Sequence, residues 1–289
     1  MKPAEVFDVP VSGGDLRVGR WGDGGTVVLA IHGVTANHLS WALVADQLGD
    51  DVTVYAPDLR GRGRSGALPG PFGMAQHADD LVAVLDHLGV DRAVVAGHSM
   101  GAFVATVTAV RHPDRVERLV LVDGGVAIPA PEGVDVDTII AAALGPARAR
   151  LEMTFPTREA YHSFWQAHPA VGGDSWNDAL AAYVDYDLVG EAPELRSSVS
   201  LAAVQGDSED MLGTPDASEA IGKVPCEAVL LLAPRGLLNG DPLYPPELIE
   251  SLRGEWPNVV DISTVPDVNH YTISLSPHGA AAIAAAISG

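Results

Sequence analysis

The pentapeptide Gly97-His98-Ser99-Met100-Gly101 sets a serine between two glycines, after the apolar run Ala93 to Gly97 and ahead of a helical pattern from Ser99 to Arg111. A strand that turns sharply into a helix lifts a serine hydroxyl clear of the sheet, and side chains at Gly97 and Gly101 would clash across so tight a turn. The helix N-terminus behind the serine adds a partial positive charge that favours a developing oxyanion. The chemistry expected is nucleophilic attack by Ser99 on a carbonyl carbon. His32-Gly33-Val34, directly after the run Thr26 to Ile31, fits the same reaction. The backbone N–H groups of Val34 and Met100 are the expected donors to the tetrahedral oxygen, Gly33 lets the chain turn to present one of them, and His32 is expected to orient the loop. A third segment, Asp58-Leu59-Arg60-Gly61-Arg62-Gly63-Arg64-Ser65, places three arginines beside two glycines. It lacks the G-x-x-x-x-G-K-[ST] order of a phosphate loop and the surrounding charge is acidic, so a structural loop is expected.

These groups need elements that hold them. Thr26 to Ile31, Val52 to Ala56, Ala93 to Gly97 and Arg118 to Val122 read as buried strands. Near-continuous apolar strands suit a sheet covered on both faces, and their alternation with helical patterns is the rhythm of βαβ units around a parallel sheet. Met74 to Leu88 puts Leu81, Val84, Leu85 and Leu88 on one helical face. After Gly125 the texture changes. Val126 to Gly133 holds two prolines and a glycine and reads as a linker; Val136 to about Leu212 is rich in helix formers and aromatics; Gly206 to Asp216 is rich in breakers. Strand texture returns at Glu227 to Ala233 and Val259 to Thr264, and Gly279 to Ile287 reads as a closing helix. The expected organisation is one α/β domain, residues 1–125 and 214–289, interrupted by a helical segment at 126–213.

Composition narrows the function classes. Of 289 residues, 38 are acidic and 17 basic, a formal charge of −21 that repels phosphate backbones and anionic lipids. Nucleic-acid and membrane partners are therefore not expected. With 47% hydrophobic residues the chain has the balance of a globular protein. Cys226 is the single cysteine, which excludes an intrachain disulfide and a cysteine-rich zinc site. No H-x-H or H-E-x-x-H spacing occurs, so no metal is expected. The first residues, Met1 to Val11, carry Glu5 and Asp8 and lack the apolar run of a signal peptide, and the expected location is cytoplasmic.

The strand before His32-Gly33, the Asp58-x-Arg60-Gly61-x-Gly63-x-Ser65 loop, the turn at Ser99 and a late histidine after the last strand together resemble the α/β-hydrolase family. The similarity spans about the first 125 residues and the last 65 or so. It implies a mostly parallel sheet with helices on both faces, a helical cap inserted after strand six, and a Ser–His–acid triad at the carboxyl ends of the strands. Haloalkane dehalogenases and epoxide hydrolases of the family carry aspartate at the nucleophile position; Ser99 here makes both activities unexpected. By the family's chain order the base is His270, in Pro266-Asp267-Val268-Asn269-His270-Tyr271. The acid departs from the common pattern. The family usually sets an aspartate in the loop after strand seven, but that loop here, Pro234 to Asp241, holds Arg235 and Leu237 at the expected positions, with Asp241 several residues late. Asp123, at the end of the sixth strand, is the preferred acid and Asp241 the alternative.

Trp41, Trp165, Trp176 and Tyr186, with His32, Gly33 and His98 beside the serine, are the candidate pocket residues. The expected activity is that of a serine hydrolase, needing no cofactor, that cleaves a small, mainly apolar carboxylic ester or lactone through an acyl-enzyme on Ser99. The same triad also serves C–C bond hydrolysis of a diketone-like substrate, and the fold serves non-catalytic small-molecule receptors.

Overall fold

The computed structural model describes residues 3–128, 138, 145 and 148–289. Its first half alternates strands and helices: β1 (Glu5–Val11), β2 (Gly14–Trp21), β3 (Thr26–Ile31), α1 (Ala42–Gln47), β4 (Val52–Pro57), α2 (Met74–Leu88), β5 (Ala93–His98), α3 (Met100–Arg111) and β6 (Val116–Val122). An inserted segment follows, with α4 (Arg158–Gln166), α5 (Asp178–Asp187), the short strands β7 (Leu188–Val189) and β8 (Arg196–Ser197), and α6 (Leu201–Gly213). The sheet then resumes through α7 (Pro215–Ser218), β9 (Ala228–Leu232), α8 (Pro246–Leu252), β10 (Val259–Thr264), α9 (Thr272–Leu275) and α10 (Pro277–Ser288). Eight strands form one sheet in the order β1-β2-β4-β3-β5-β6-β9-β10. β2 pairs antiparallel with β1 and β4, and every other neighbour is parallel.

Side-chain alternation divides the core into two layers. Leu29, Ile31, Val95, Leu119, Leu121 and Leu230 face α2 and α3, whereas Val28, Ala30, Val94, Ala96, Val120 and Val122 face α1, α10 and the aromatic residues of the insertion. Burial of both faces accounts for the unbroken apolar runs of β3, β5 and β6. The antiparallel pair β1–β2 lies outside the strands expected from the sequence. Its residues alternate, with Val9, Leu16 and Val18 buried while Asp8 and Arg17 pair across the exposed face, so it forms no continuous apolar run.

The expected linker lies mostly outside the described residues, at Pro129–Gly133. Further on, α6 continues through Gly206 to Gly213, a stretch expected to break helices. A Cβ at Gly206 would lie 3.2 Å from that of Phe72, and the carboxylates of Asp207 and Asp210 accept hydrogen bonds from the Gly73 and Met74 N–H groups at the start of α2. Tertiary contacts thus override weak helical propensity. Within the insertion, Asp187 gathers hydrogen bonds from Arg150 (3.0 Å), Tyr161 Oη (2.5 Å), Ser197 Oγ (3.0 Å) and Ser198 Oγ (2.9 Å). Among the described residues no helix is long and apolar enough to cross a membrane.

Candidate active site

The parallel strands deliver their carboxyl ends to one side of the sheet, and the sequence-selected residues converge there. Ser99 follows β5 and caps α3 with φ 56° and ψ −123°, a conformation that a non-glycine residue holds only under tertiary constraint. The constraint is close packing: a Cβ on Gly97 would lie 2.2 Å from the Gly101 carbonyl oxygen, and one on Gly101 2.2 Å from that of Ile31. Both positions therefore exclude a side chain.

His270 Nε2 accepts from Ser99 Oγ at 3.1 Å, and His270 Nδ1 donates to Asp123 Oδ2 at 2.7 Å. Asp123 is buried just beyond β6, and its other carboxylate oxygen accepts from the Ala233 N–H at 3.0 Å. Of the two candidate acids, Asp123 is the one bonded to the imidazole. Arg235, in the loop where the family places its acid, does something else. Its carbonyl accepts from His270 N–H at 2.9 Å, and its guanidinium donates to Asp267 O at 2.9 Å and Val268 O at 3.3 Å. The histidine loop is further fixed by Asn269, which sequence reasoning missed. Its amide donates to Ala170 O in the insertion at 2.8 Å and its carbonyl accepts the Tyr271 and Thr272 N–H groups at 3.0 Å.

Gly33 lies over the serine: a Cβ there would sit 3.1 Å from Ser99 Cβ and 3.6 Å from Oγ. Val34 directly follows Gly33 and Met100 directly follows Ser99, so both expected oxyanion donors belong to residues next to this contact. Two backbone donors beside a serine–imidazole pair suit an oxyanion.

The pocket candidates occupy different surroundings. Gly33 and His98 border the serine. His98 Nε2 donates to His270 O at 2.8 Å, and its ring centroid lies 4.8 Å from that of His270. His32 is buried and orients the loop, its Nδ1–H donating to Gly33 O at 2.8 Å and its Nε2 accepting from Leu59 N–H at 2.9 Å. Trp41 and Trp165, 1% and 5% exposed, pack in the hydrophobic cluster shared by the sheet and the insertion. Large indole rings bury apolar area best when packed on all sides. Trp176 meets His162 edge to face, and Tyr186 donates to Asp58 Oδ2 at 2.7 Å while Arg64 lies over its ring, so these contacts are to residues other than Ser99 and His270. His168 of the insertion also comes near the histidine loop, its ring 5.6 Å from Tyr271.

Burial drives His32 down to about 3, and burial together with the neighbouring His270 takes His98 to about 3. Burial opposes ionisation of Asp58, but the His38 ring and the His38 and Arg64 N–H groups outweigh it and hold the carboxyl down at about 2. The unfolded histidines titrate near ~6.5 and the aspartate near ~3.9. Depressed values on both kinds of group mean that the unfolded chain binds more protons, so stability is full above those unfolded values and is lost as pH falls through the window below each. The urea midpoint should therefore begin to fall below pH ~6.5, the histidine window, and fall more steeply below ~4 as Asp58 joins. A midpoint flat from pH 7.5 to 4.5 would contradict this.

The family model described as "alpha/beta hydrolase fold" matches residues 26–273. The chain is 40% identical to Lipase LipV of Mycobacterium tuberculosis over 142 residues, 48% of this chain and 54% of the lipase, so it spans about half the length of that curated relative. It is 29% identical to N-formylmaleamate deformylase of Pseudomonas putida over 220 residues, 75% of this chain and 74% of the deformylase. The solved structure of E-2-(acetamidomethylene)succinate hydrolase superposes with a TM-score of 0.79 at 21% identity, covering 99% of both chains.

Proposed function

The chain belongs to the α/β-hydrolase family, and from that premise we propose that it is a hydrolase acting by serine acyl transfer on a small, mainly apolar carboxylic ester or lactone. The observation that carries the reading is the unbroken chain of hydrogen bonds from Ser99 Oγ through His270 to Asp123. Ser99 attacks the carbonyl while His270 Nε2 takes its proton; Asp123 fixes the imidazole tautomer and balances the charge it acquires. The Val34 and Met100 amides hold the oxyanion. Collapse of the tetrahedral adduct expels the alcohol, protonated by His270, and leaves an acyl-enzyme that His270-activated water hydrolyses. The lipase likeness supports an ester substrate. The deformylase likeness, which covers three-quarters of both chains, supports a second reading in which the bond cleaved is an amide-like C–N bond. The C–C alternative draws on the same three residues and on 38% identity over 117 residues, 38% of this chain and 41% of the relative, to 2-hydroxymuconate semialdehyde hydrolase of Pseudomonas sp.. A receptor role has less support, because a binding pocket does not call for a hydrogen-bonded Ser99–His270–Asp123 chain.

A fluorophosphonate probe should label the native protein on Ser99, and a panel of short esters, N-acyl lactones, formamides and β-diketones should give turnover on the esters or lactones first. Absence of labelling in folded protein would end the serine reading, and turnover of formamides alone would select the C–N reading.

A further inference from the structure

The Asp58–Ser65 loop contains a guanidinium that the acyl-transfer scheme leaves unused. Arg62 is fully buried. Its Nε–H donates to the Val34 carbonyl at 2.9 Å, one terminal nitrogen donates to Arg60 O at 2.8 Å and pairs with Asp207, and the other lies 4.0 Å from Met100 Sδ. One side chain thus touches both residues whose amides the acyl-transfer reading assigns to the oxyanion. Its counter-ion comes from the insertion: Asp207 sits on α6, where it also accepts from Gly73 N–H at 2.6 Å and meets His77 Nε2 at 3.0 Å. The two surfaces meet closely. A Cβ on Gly61 would fall 2.3 Å from that of Ala203, and Ser200 N–H donates to Gly61 O at 2.8 Å.

We propose that Arg62 and Asp207 are a positioning pair through which the inserted segment holds the oxyanion loop over Ser99. The inference rests on the acyl-transfer reading for its effect on rate. A peptide loop is free to rotate unless its carbonyls are anchored, and Arg62 anchors the carbonyl of Val34, the residue whose N–H faces the oxyanion. The guanidinium stays dry only because Asp207 balances it; without the carboxylate a buried charge lacks compensation and is drawn toward water. Val34 then loses its anchor, and a donor displaced by even ~1 Å loses much of its effect on the transition state while substrate binding is little altered.

The test compares Asp207→Asn with Asp210→Asn in the full chain. Asp210 lies on the same helix and caps α2 through Met74 N–H at 2.7 Å without touching Arg62, so it reports a purely structural role. With p-nitrophenyl acetate, Asp207→Asn should lower kcat by about 10- to 100-fold with KM within about twofold, and weaken a trifluoromethyl ketone inhibitor, which mimics the tetrahedral adduct, in parallel. Amide exchange at Gly33–Ala36 should accelerate. Asp210→Asn should lower Tm and leave kcat unchanged. If Asp207→Asn fails to fold, Arg62→Lys, which keeps the charge but lacks the Nε–H, carries the same expectation. Wild-type kcat in a folded variant with unaltered exchange at Gly33–Ala36, or an equal kcat loss in Asp210→Asn, overturns the proposal. Should Ser99→Ala retain ester turnover, the serine reading falls, and the exchange measurement by itself still decides whether Asp207 holds the loop.

Discussion

Ser99→Ala should lower kcat for p-nitrophenyl acetate by at least about 10⁴-fold while the protein stays folded, since loss of a serine nucleophile removes the covalent route and leaves only what binding and the oxyanion donors supply. The substitution keeps the Cβ, which is the part of the side chain that packs against Gly33, and deletes only the hydroxyl that bonds His270. The strained φ of 56° at this position is set by the neighbours of Gly97 and Gly101, so alanine inherits it without new contacts. Steady-state turnover, corrected for background hydrolysis, together with loss of fluorophosphonate labelling, checks the expectation. Turnover within tenfold of wild type would remove Ser99 from the reaction.

Asp123→Asn should cost about 10⁴-fold in kcat, and Asp241→Asn less than about threefold. The reason lies in which atoms carry protons. Asn Oδ1 can still accept from Ala233 N–H, so the amide nitrogen faces His270 Nδ1 in place of the carboxylate oxygen bonded there now. Two N–H groups cannot share that contact, and the imidazole is pushed into the tautomer with its proton on Nε2. Ser99 Oγ then meets an N–H instead of a lone pair, and no base remains to take its proton. The positive charge that His270 gains during attack also loses its counter-ion. Activity measured across pH distinguishes this from simple destabilisation, because the asparagine variant should recover partially at high pH, where hydroxide substitutes for the base. A larger loss for Asp241→Asn would reverse the assignment.

The parts of this site that were legible in the sequence are those written locally. A strand, a tight turn and a helix within twenty residues fix where Ser99 and Met100 must stand, and the same holds for Val34 after β3. The acid was not local in this sense. Asp123 and Asp241 both follow a strand, and which one meets His270 depends on how the loop after β9 folds, which Arg235 decides by bonding Asp267 and Val268 from across the sheet edge. Asn269, Arg62 and Asp207 were missed for the same reason: their partners are distant in sequence, and no spacing rule announces a buried ion pair between a loop and an inserted helix. The aromatic residues pose a different problem. Trp41 and Trp165 are as suitable for a core as for a pocket, and composition carries no sign of which side of the insertion they face. The β1–β2 hairpin escaped because polar residues on its open face interrupt the apolar run.

The order in which the strands are joined has a consequence for biosynthesis. Ser99 and Asp123 bracket β5, α3 and β6, a unit assembled from contiguous chain, whereas His270 arrives beyond β10, an edge strand whose sole neighbour is β9. A ribosome making this polypeptide releases Ser99 and Asp123 long before His270 exists. On the proposed serine reading, the nascent molecule should be chemically silent until the histidine loop docks, and one clipped ahead of β10 should stay inert however well the remainder has folded.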